Sequence, residues 1–261
     1  MNNPLRSFSL MLDALSDLQG EIDASLPKPV PAPPSLTDSL SQLGPLPKEA
    51  LLLGLAPDGL PVLLNLHDPS PGPLLIAADP GAGKTALLQV IAQAASRMHA
   101  PTALQFGVVT NYPDEWGHLA ELDHCLGVFP TYHASAIDFL ASLSGWAHAN
   151  KGSRQSILLL LDDLESMEQI DFDARQTLRW LLLRGPSRRV WPLISMNARR
   201  SSQVQPWLEA FRTRIFGKVG DDRTTDRLTG FPGSTLKHLQ AGLQFALREG
   251  SDWLKFWIPV D

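Results

Sequence analysis

The sequence has a single cysteine, Cys125, and this scarcity excludes a fold held together by internal disulfides. No apolar run approaches the ~20 residues that a helix needs to cross a bilayer, so no transmembrane segment is expected. The start, "MNNPLRSFSLML", lacks a signal-peptide pattern. We therefore expect a cytoplasmic protein, or one held at a membrane through a partner.

Charge is also scarce, at 19% of residues, and the net charge of −5 argues against broad nonspecific binding of nucleic acid by a monomer. The positive charge is concentrated, however. Residues 171–230 hold 12 Lys and Arg against 6 Asp and Glu, and 11 of those 12 cations are arginine, which suits bidentate contacts to phosphate. This region is either a solvated helix face with scattered ion pairs or a basic surface assembled from several subunits.

The first 48 residues differ in composition from the rest. Residues 1–24 carry an apolar stripe with helical spacing, which predicts an amphipathic helix. Residues 25–48 include seven prolines, a composition typical of a semi-stiff, partly polyproline II linker. The helix either docks on the main domain, residues 49–261, or binds a partner protein. The stripe consists of Leu5, Phe8, Leu12, Leu15, Leu18 and Ile22.

In residues 49–261, apolar runs of strand length alternate with segments of helical spacing. Strands are predicted at residues 59–66, 72–78, 103–110, 156–163, 189–197 and 212–219, and helices at 83–98, 133–150 and 173–185. The segments "LQFALRE" and "DWLKFWIP" predict a terminal β-hairpin. This alternation indicates an α/β domain with a mostly parallel sheet and helices on both faces.

The most informative motif is "LLIAADPGAGKTALLQVI", in which a buried strand ends in a glycine-rich turn that opens a helix. Gly81 and Gly83 would let backbone N–H groups approach a β-phosphate, Lys84 would reach the β- and γ-phosphates, and Thr85 would offer its hydroxyl to Mg²⁺. Ala78 replaces the usual first glycine of G-x-x-x-x-G-K-[ST], and its methyl group is tolerated if φ stays negative. The motif predicts an ATP site, with an accidental glycine-rich turn as the alternative. The predicted nucleotide contacts are Asp79, Pro80, Gly81, Ala82, Gly83, Lys84, Thr85 and Ala86.

Two carboxylates follow the most apolar strand, in "ILLLLDDLE". Asp162 is predicted to share the Mg²⁺ ion with Thr85, and Asp163 to orient or deprotonate the attacking water. Glutamate is commoner in that second role, so Glu165 is an alternative base. The competing interpretation is that the aspartates merely cap the next helix.

The run "LLLGLAPDGLPVLLNLHDPSPGPLLIAADPGAGKTALLQVI" resembles the start of the motor domain of FtsK/HerA-type ATPases, where a hairpin with a D-G-x-P turn precedes the loop. "VWPLISMNARRSS", "FRTRIFGKVGDDRTTDRLTG" and "LQAGLQFALREGSDWLKFWIP" are similar to the family's later strands, its turns and its closing hairpin. The likeness spans roughly residues 50–260. It implies a RecA-like P-loop NTPase fold with a mostly parallel sheet flanked by helices.

The resemblance also implies roles for residues outside the loop. Asn197 falls at the strand-end position that senses the γ-phosphate in this family. Such motors complete each site with a neighbour's cation, which implies a ring-shaped homo-oligomer with Arg214 or Arg227 as the arginine acting in trans. Each arginine is otherwise an ordinary surface residue.

Three functions are compatible with these observations. The first is an ATPase motor whose ring moves DNA or a polypeptide. The second is a weakly active, nucleotide-gated module that binds a partner protein. The third, an AAA-type loader, would need a C-terminal helical lid, whereas residues 240–259 predict strands.

Overall fold

A ten-stranded mixed sheet organises the computed structural model, which describes residues 34–150, 152, 154–249 and 252–260. These residues belong to one compact unit of the chain, residues 33–261. The predicted amphipathic helix, residues 1–24, lies outside the described residues. In the part of the chain that is described, no helix combines the length and apolar character needed to cross a membrane.

Strands and helices alternate through most of the described chain. The strands are β1 Ala50–Leu55, β2 Pro61–Asn65, β3 Leu74–Ala78, β4 Leu104–Thr110, β5 Cys125–Pro130, β6 Ser156–Asp162, β7 Val190–Asn197, β8 Thr213–Phe216, β9 Gln244–Glu249 and β10 Asp252–Trp257. The helices are α1 Leu36–Gln42, α2 Lys84–Met98, α3 Gly117–Ala120, α4 Ala134–Ala149, α5 Phe172–Arg184, α6 Gln205–Leu208 and α7 Asp222–Thr229.

The strand order is β2-β1-β10-β9-β8-β3-β7-β6-β4-β5. The six strands from β8 to β5 are parallel, and β9, β10, β1 and β2 extend the sheet in antiparallel pairing. The α/β class, the mostly parallel sheet and the C-terminal hairpin of β9 and β10 are thus confirmed. Because parallel strands end at the same edge, the loop after β3 and the acids after β6 lie close together, with the end of β7 between them.

The central strands are buried on both faces, which explains their continuous apolar runs. Along β6, Leu158 and Leu160 pack on the face covered by α2. Leu159 and Leu161 point to the opposite face, where α4 and α5 supply the partners. This two-sided burial fixes the register of β6 and therefore the positions of Asp162, its last residue, and of Asp163 directly after it.

Part of the predicted linker is helical. The Ser35 side chain accepts a hydrogen bond from Asp38 N at 3.0 Å and begins α1. Leu36 is buried in a small cluster with Leu52 and Ala94. Residues 25–48, predicted as a partly polyproline II linker, thus contain a short helix, because a capping serine and one well-placed leucine let this segment pack on the domain despite the nearby prolines.

Strand β5 and helix α7 also differ from the sequence-based expectations. Strand β5 was not predicted, because it is a partly exposed edge strand that contains Gly127 and lacks the buried alternation of its neighbours. The segment that the resemblance implied to be a polar turn forms helix α7. Its N-cap, Asp221, accepts a hydrogen bond from Thr224 N at 2.8 Å, which stabilises its first turn.

Candidate functional site

The turn after β3 has the backbone of an anion cradle. Gly81 and Gly83 have φ values of 73° and 87°, a region that residues with a side chain rarely adopt. A Cβ on Gly83 would also lie 2.6 Å from the Cα of Gly242. Helix α2 begins directly after Gly83 without a side-chain cap, so its first N–H groups are free to face an anion.

The Ala78 methyl group fits because its surroundings provide room for it. Ala78 continues β3 in register with Asn197 and is buried. Among the described residues other than glycine, positive φ occurs at Asp163 and Arg189, so Ala78 has the negative φ that its methyl group requires. A Cβ at position 217 would lie 2.9 Å from the methyl group of Ala78, and that position is Gly217. Gly217, which has no side chain, therefore leaves the space that the methyl group of Ala78 occupies.

Asp79 anchors the loop through its side chain. Its Oδ2 accepts a hydrogen bond from Gly220 N at 2.9 Å, and its Oδ1 lies 3.4 Å from Arg199 Nε. Its backbone N–H donates to Lys218 O at 2.9 Å. The loop is thereby fastened to the segment after β8 and to the turn after β7, a role that the sequence did not indicate.

Lys84 spans the loop from the start of α2. Its half-buried ammonium donates hydrogen bonds to Ala78 O at 3.3 Å and to Asp79 O at 3.1 Å. Burial lowers the pKa of Lys84, and the nearby carboxylate of Asp162 opposes that shift. The ammonium thus lies over the glycine-rich turn. A phosphate bound there would offer it charged oxygens, which are stronger acceptors than the two neutral backbone carbonyls.

Asp162 is held at both carboxylate oxygens. Thr85 Oγ1 donates to Oδ2 at 2.8 Å, and Ser195 Oγ donates to Oδ1 at 2.7 Å. Burial raises the pKa of Asp162 above its usual value, while the bonds from Ser195 and Thr85 lower it. The two residues predicted to share the metal ion, Thr85 and Asp162, are thus hydrogen-bonded to each other. Ser195 was not predicted, although a serine within the apolar strand "VWPLISM" is a usable signal.

Asp163 and Glu165 occupy different positions. Asp163 has a φ of 92°, its N–H donates to Ser195 Oγ at 2.9 Å, and its carboxylate accepts from Asn111 Nδ2 at 3.4 Å. Glu165 is buried, and its Oε1 accepts from Asn197 N at 2.6 Å. Burial and the neighbouring Asp163 raise the pKa of Glu165 to about 8. Glu165 therefore supports the end of β7, whereas Asp163 faces the cleft.

A cleft of about 360 Å³ is lined by six of the thirteen predicted site residues, Pro80 among them. Lys84, Thr85, Asp162, Asp163 and Asn197 all line it. The other lining residues are Pro80, Tyr112, Glu115, Ser195 and Arg200.

A larger cavity of about 670 Å³ lies elsewhere, with Leu74, Thr213 and Arg214 among its lining residues. Leu74 and Thr213 begin β3 and β8, so this cavity lies at the sheet edge opposite the loop. The smaller cleft is the candidate active site, because it alone of the two contains the loop lysine and the carboxylates.

The donors at Thr85 and Asp162 suit Mg²⁺. A hydroxyl and a carboxylate are hard oxygen ligands, and Mg²⁺ is usually bound by one or two carboxylates together with substrate phosphates and water. In the described ranges, no group of three or more His, Cys, Asp or Glu side chains could hold a metal ion by itself. The site therefore fits an ion that arrives with a nucleotide.

Asn197 and the two candidate arginines have partners in their own chain. Asn197 lines the cleft, and its Oδ1 accepts from Arg199 N at 3.0 Å, which caps the turn after β7. The Arg227 Nη2 donates to the buried Ser201 Oγ at 2.7 Å. The guanidinium of Arg214 donates to three backbone carbonyls, those of Phe211 at 3.3 Å, Leu228 at 2.8 Å and Leu208 at 2.7 Å.

We expect the Arg214→Ala variant to lose about 3 kcal/mol of unfolding free energy, because carbonyls at the ends of α6 and α7 lose a charged donor. Urea denaturation would measure the change. The matched control is Arg212→Ala, which removes an exposed arginine two positions away and should change stability by less than about 0.5 kcal/mol. Equal stability of the two variants would contradict the anchoring role and leave Arg214 available to act in trans.

No protein-family model matches the chain, and no curated protein matches its sequence. Among solved structures, it is similar to Thermomonospora curvata EccC (ATPases 2 and 3) in complex with a signal sequence peptide. The TM-score is 0.66 at 14% identity, over 89% of this chain and 44% of that one.

Two further structures are similar. EssC (ATPases 2 and 3) from Geobacillus thermodenitrificans has a TM-score of 0.69 at 16% identity, over 84% of this chain and 48% of that one. The pCW3 conjugation coupling protein TcpA, with ATPγS, has a TM-score of 0.59 at 14% identity, over 92% of this chain and 72% of that one. The chain thus spans less than half the length of the EccC and EssC chains. At identities of 14–16% the likeness shows the fold alone: this chain has the fold that the three proteins share, which is the kind of fold that its sequence resemblance implied.

Proposed function

We propose that this protein binds ATP with Mg²⁺ in the cleft above β3, β7 and β6 and hydrolyses it. The observation that carries the proposal is the hydrogen bond between Thr85 and Asp162, residues 77 positions apart that meet beside the loop lysine. An accidental glycine-rich turn has no reason to bring a hydroxyl and a buried carboxylate together at its mouth.

Each group in the cleft has a distinct role in this proposal. The loop amides and Lys84 hold the phosphates, and Thr85 and Asp162 hold the metal ion. Mg²⁺, when bound, would neutralise phosphate charge. Asp163 orients the attacking water and accepts its proton, and Asn197 contacts the terminal phosphate. Ser195 keeps Asp162 and the backbone of Asp163 in place through two hydrogen bonds.

We further propose that the protein acts in a homo-oligomeric ring that moves a polymer. The arginine-rich composition of residues 171–230 and the family resemblance support this. The arginine-rich residues 171–230 favour DNA as the polymer, because arginine suits contacts to phosphate, whereas the signal sequence peptide bound by EccC favours a polypeptide. Two arginines are candidates to act on a neighbouring subunit's site. Arg227 is favoured because it is exposed, whereas the guanidinium of Arg214 already donates to three backbone carbonyls of the same subunit.

A second candidate is a weakly active, nucleotide-gated module that binds a partner protein. Asp163 favours it, since its side chain is shorter than the usual glutamate and its backbone has a φ of 92°. Such strain costs of order 1–3 kcal/mol and narrows the positions that the carboxylate can adopt. A module of this kind would bind nucleotide normally and turn it over slowly.

Mass measurement on the full chain distinguishes the motor from the module. We expect ATPγS with Mg²⁺ to convert monomers into a closed oligomer, because each nucleotide would be shared between neighbouring subunits. The Arg227→Ala variant should bind ATPγS but assemble poorly, and Arg184→Ala, an exposed arginine in the last turn of α5, is its matched control. A protein that stays monomeric at saturating nucleotide would contradict the proposed ring and favour the nucleotide-gated module.

If a ring forms, a second experiment identifies the polymer. Stimulation of ATP hydrolysis by DNA, with a steep dependence on salt concentration, would identify DNA as the polymer.

A further inference from the structure

We infer that Arg200 binds the terminal phosphate of ATP within its own subunit and thereby makes the site selective for ATP over ADP. This inference rests on the proposed nucleotide site and adds a residue to it. Arg200 is exposed, and its side chain lines the same cleft as Lys84, Thr85 and Asp162. The sequence singled it out only as one member of a basic region.

The position of β7 directs Arg200 toward the phosphate end of the cleft. Strand β7 pairs with β3 on one side and with β6 on the other. The turn after β7 therefore lies between the loop that would hold the phosphates and the carboxylate that would hold the metal. A cation from this turn approaches the γ-phosphate more readily than the base or the ribose, which lie farther along the nucleotide.

The turn that carries Arg200 is held on both sides. Ala198 and Ser201, which flank the two arginines, are both fully buried. Arg199 Nε lies 3.4 Å from the loop-anchoring Asp79, and its backbone N–H donates to the side chain of Asn197. Because the neighbours of Arg200 are fixed to the loop and to β7, its backbone is held at the cleft that its side chain lines.

Four other basic residues of the site and its surroundings already have partners in the protein. Lys84 bonds to loop carbonyls, Arg199 pairs with Asp79, Arg214 is bound by three carbonyls, and Arg227 donates to Ser201. Within the described ranges, by contrast, the structure assigns no hydrogen bond or ion pair to the guanidinium of Arg200. A cation that lines an anion-binding cleft without a protein partner is available to a phosphate, and its planar fork matches phosphate oxygens.

Calorimetric titration of the full chain with ATPγS and with ADP, both with Mg²⁺, tests the inference. We expect Arg200→Ala to weaken ATPγS binding by about tenfold, because one charge-assisted contact is lost, and to change ADP binding by less than about twofold. Arg200→Lys should recover part of the ATPγS affinity, since it keeps the charge but loses the fork. Arg184→Ala, an exposed arginine outside the cleft, should leave both affinities unchanged.

Failure of the proposed nucleotide site and failure of the Arg200 assignment would give different results. Binding of neither nucleotide by the unaltered protein would overturn the proposed site and Arg200 with it. If the unaltered protein binds both nucleotides and Arg200→Ala weakens both equally, or neither, then Arg200 does not contact the terminal phosphate and the site itself stands. A loss confined to ATPγS supports the assignment.

Discussion

Replacing Lys84 with alanine is expected to lower the affinity for ATP about a hundredfold, since about 3 kcal/mol of charge-assisted contact to the phosphates is lost. The ammonium lies across the loop, against the carbonyls of Ala78 and Asp79. Among the described residues, no other lysine lines the cleft. The remaining loop amides and the start of α2 would still attract phosphate, so residual binding is expected. Titration calorimetry with ATPγS and Mg²⁺ measures the change.

The fold should survive this substitution. Lys84 is only half-buried, and its two backbone partners lie at the mouth of a cleft that water reaches, so we expect a stability loss of about 1 kcal/mol. The matched control is Lys237→Ala, which removes an exposed lysine paired with Asp222 at 2.9 Å and should affect neither binding nor stability appreciably. Unchanged nucleotide affinity in a folded Lys84→Ala protein would contradict the assignment of the loop.

Replacing Asp163 with asparagine is expected to slow ATP hydrolysis about a thousandfold while binding persists, because the change removes the base without altering the shape of the side chain. Asparagine adopts left-handed backbone conformations as readily as aspartate, so the φ of 92° is tolerated. The bond from the backbone N–H of residue 163 to Ser195 Oγ is also retained. Single-turnover hydrolysis, compared with binding of ATPγS, separates the two effects.

The matched variant is Glu165→Gln. Its amide oxygen can still accept the hydrogen bond from Asn197 N. Because burial and Asp163 raise the pKa of Glu165 to about 8, a neutral isostere replaces a group that is already mostly neutral at pH 7. We therefore expect hydrolysis within a few-fold of the unaltered protein. If Glu165→Gln abolishes turnover and Asp163→Asn does not, the base is Glu165 and Asp163 has only a supporting role.

The central part of the fold could be predicted because its signals are local. Strands β3, β4, β6 and β7 are short apolar runs bounded by polar turns, and α2, α4 and α5 have helical spacing. The elements that were missed lack such signals. Strand β5 is a half-exposed edge, and α1 lies within a proline-rich stretch, where the burial of Leu36 against Leu52 offsets the unfavourable composition.

The residues of the candidate site can also be divided into those with a local sequence signal and those without one. Lys84, Thr85 and Asp162 were predicted because a glycine-rich turn after one strand and acids after another must meet at the carboxyl edge of a parallel sheet. Ser195 and Arg200 were not predicted, because one serine inside an apolar strand is only a weak signal and an arginine in a basic region is common. Both line the cleft because β7 lies between β3 and β6, an order that the sequence does not encode locally.

By itself, the sequence determined the fold class, the anion cradle and the carboxylates, because these follow from hydrophobic periodicity and from the conformational freedom of glycine. Only the tertiary structure decided which side chains share the cleft. It placed Asp163 toward the cleft and Glu165 behind it, engaged Arg214 with backbone carbonyls, and brought Arg200 to the cleft that Lys84 lines. Such choices depend on strand order and on competition between neighbouring hydrogen-bond partners, and both are long-range properties of the packed chain.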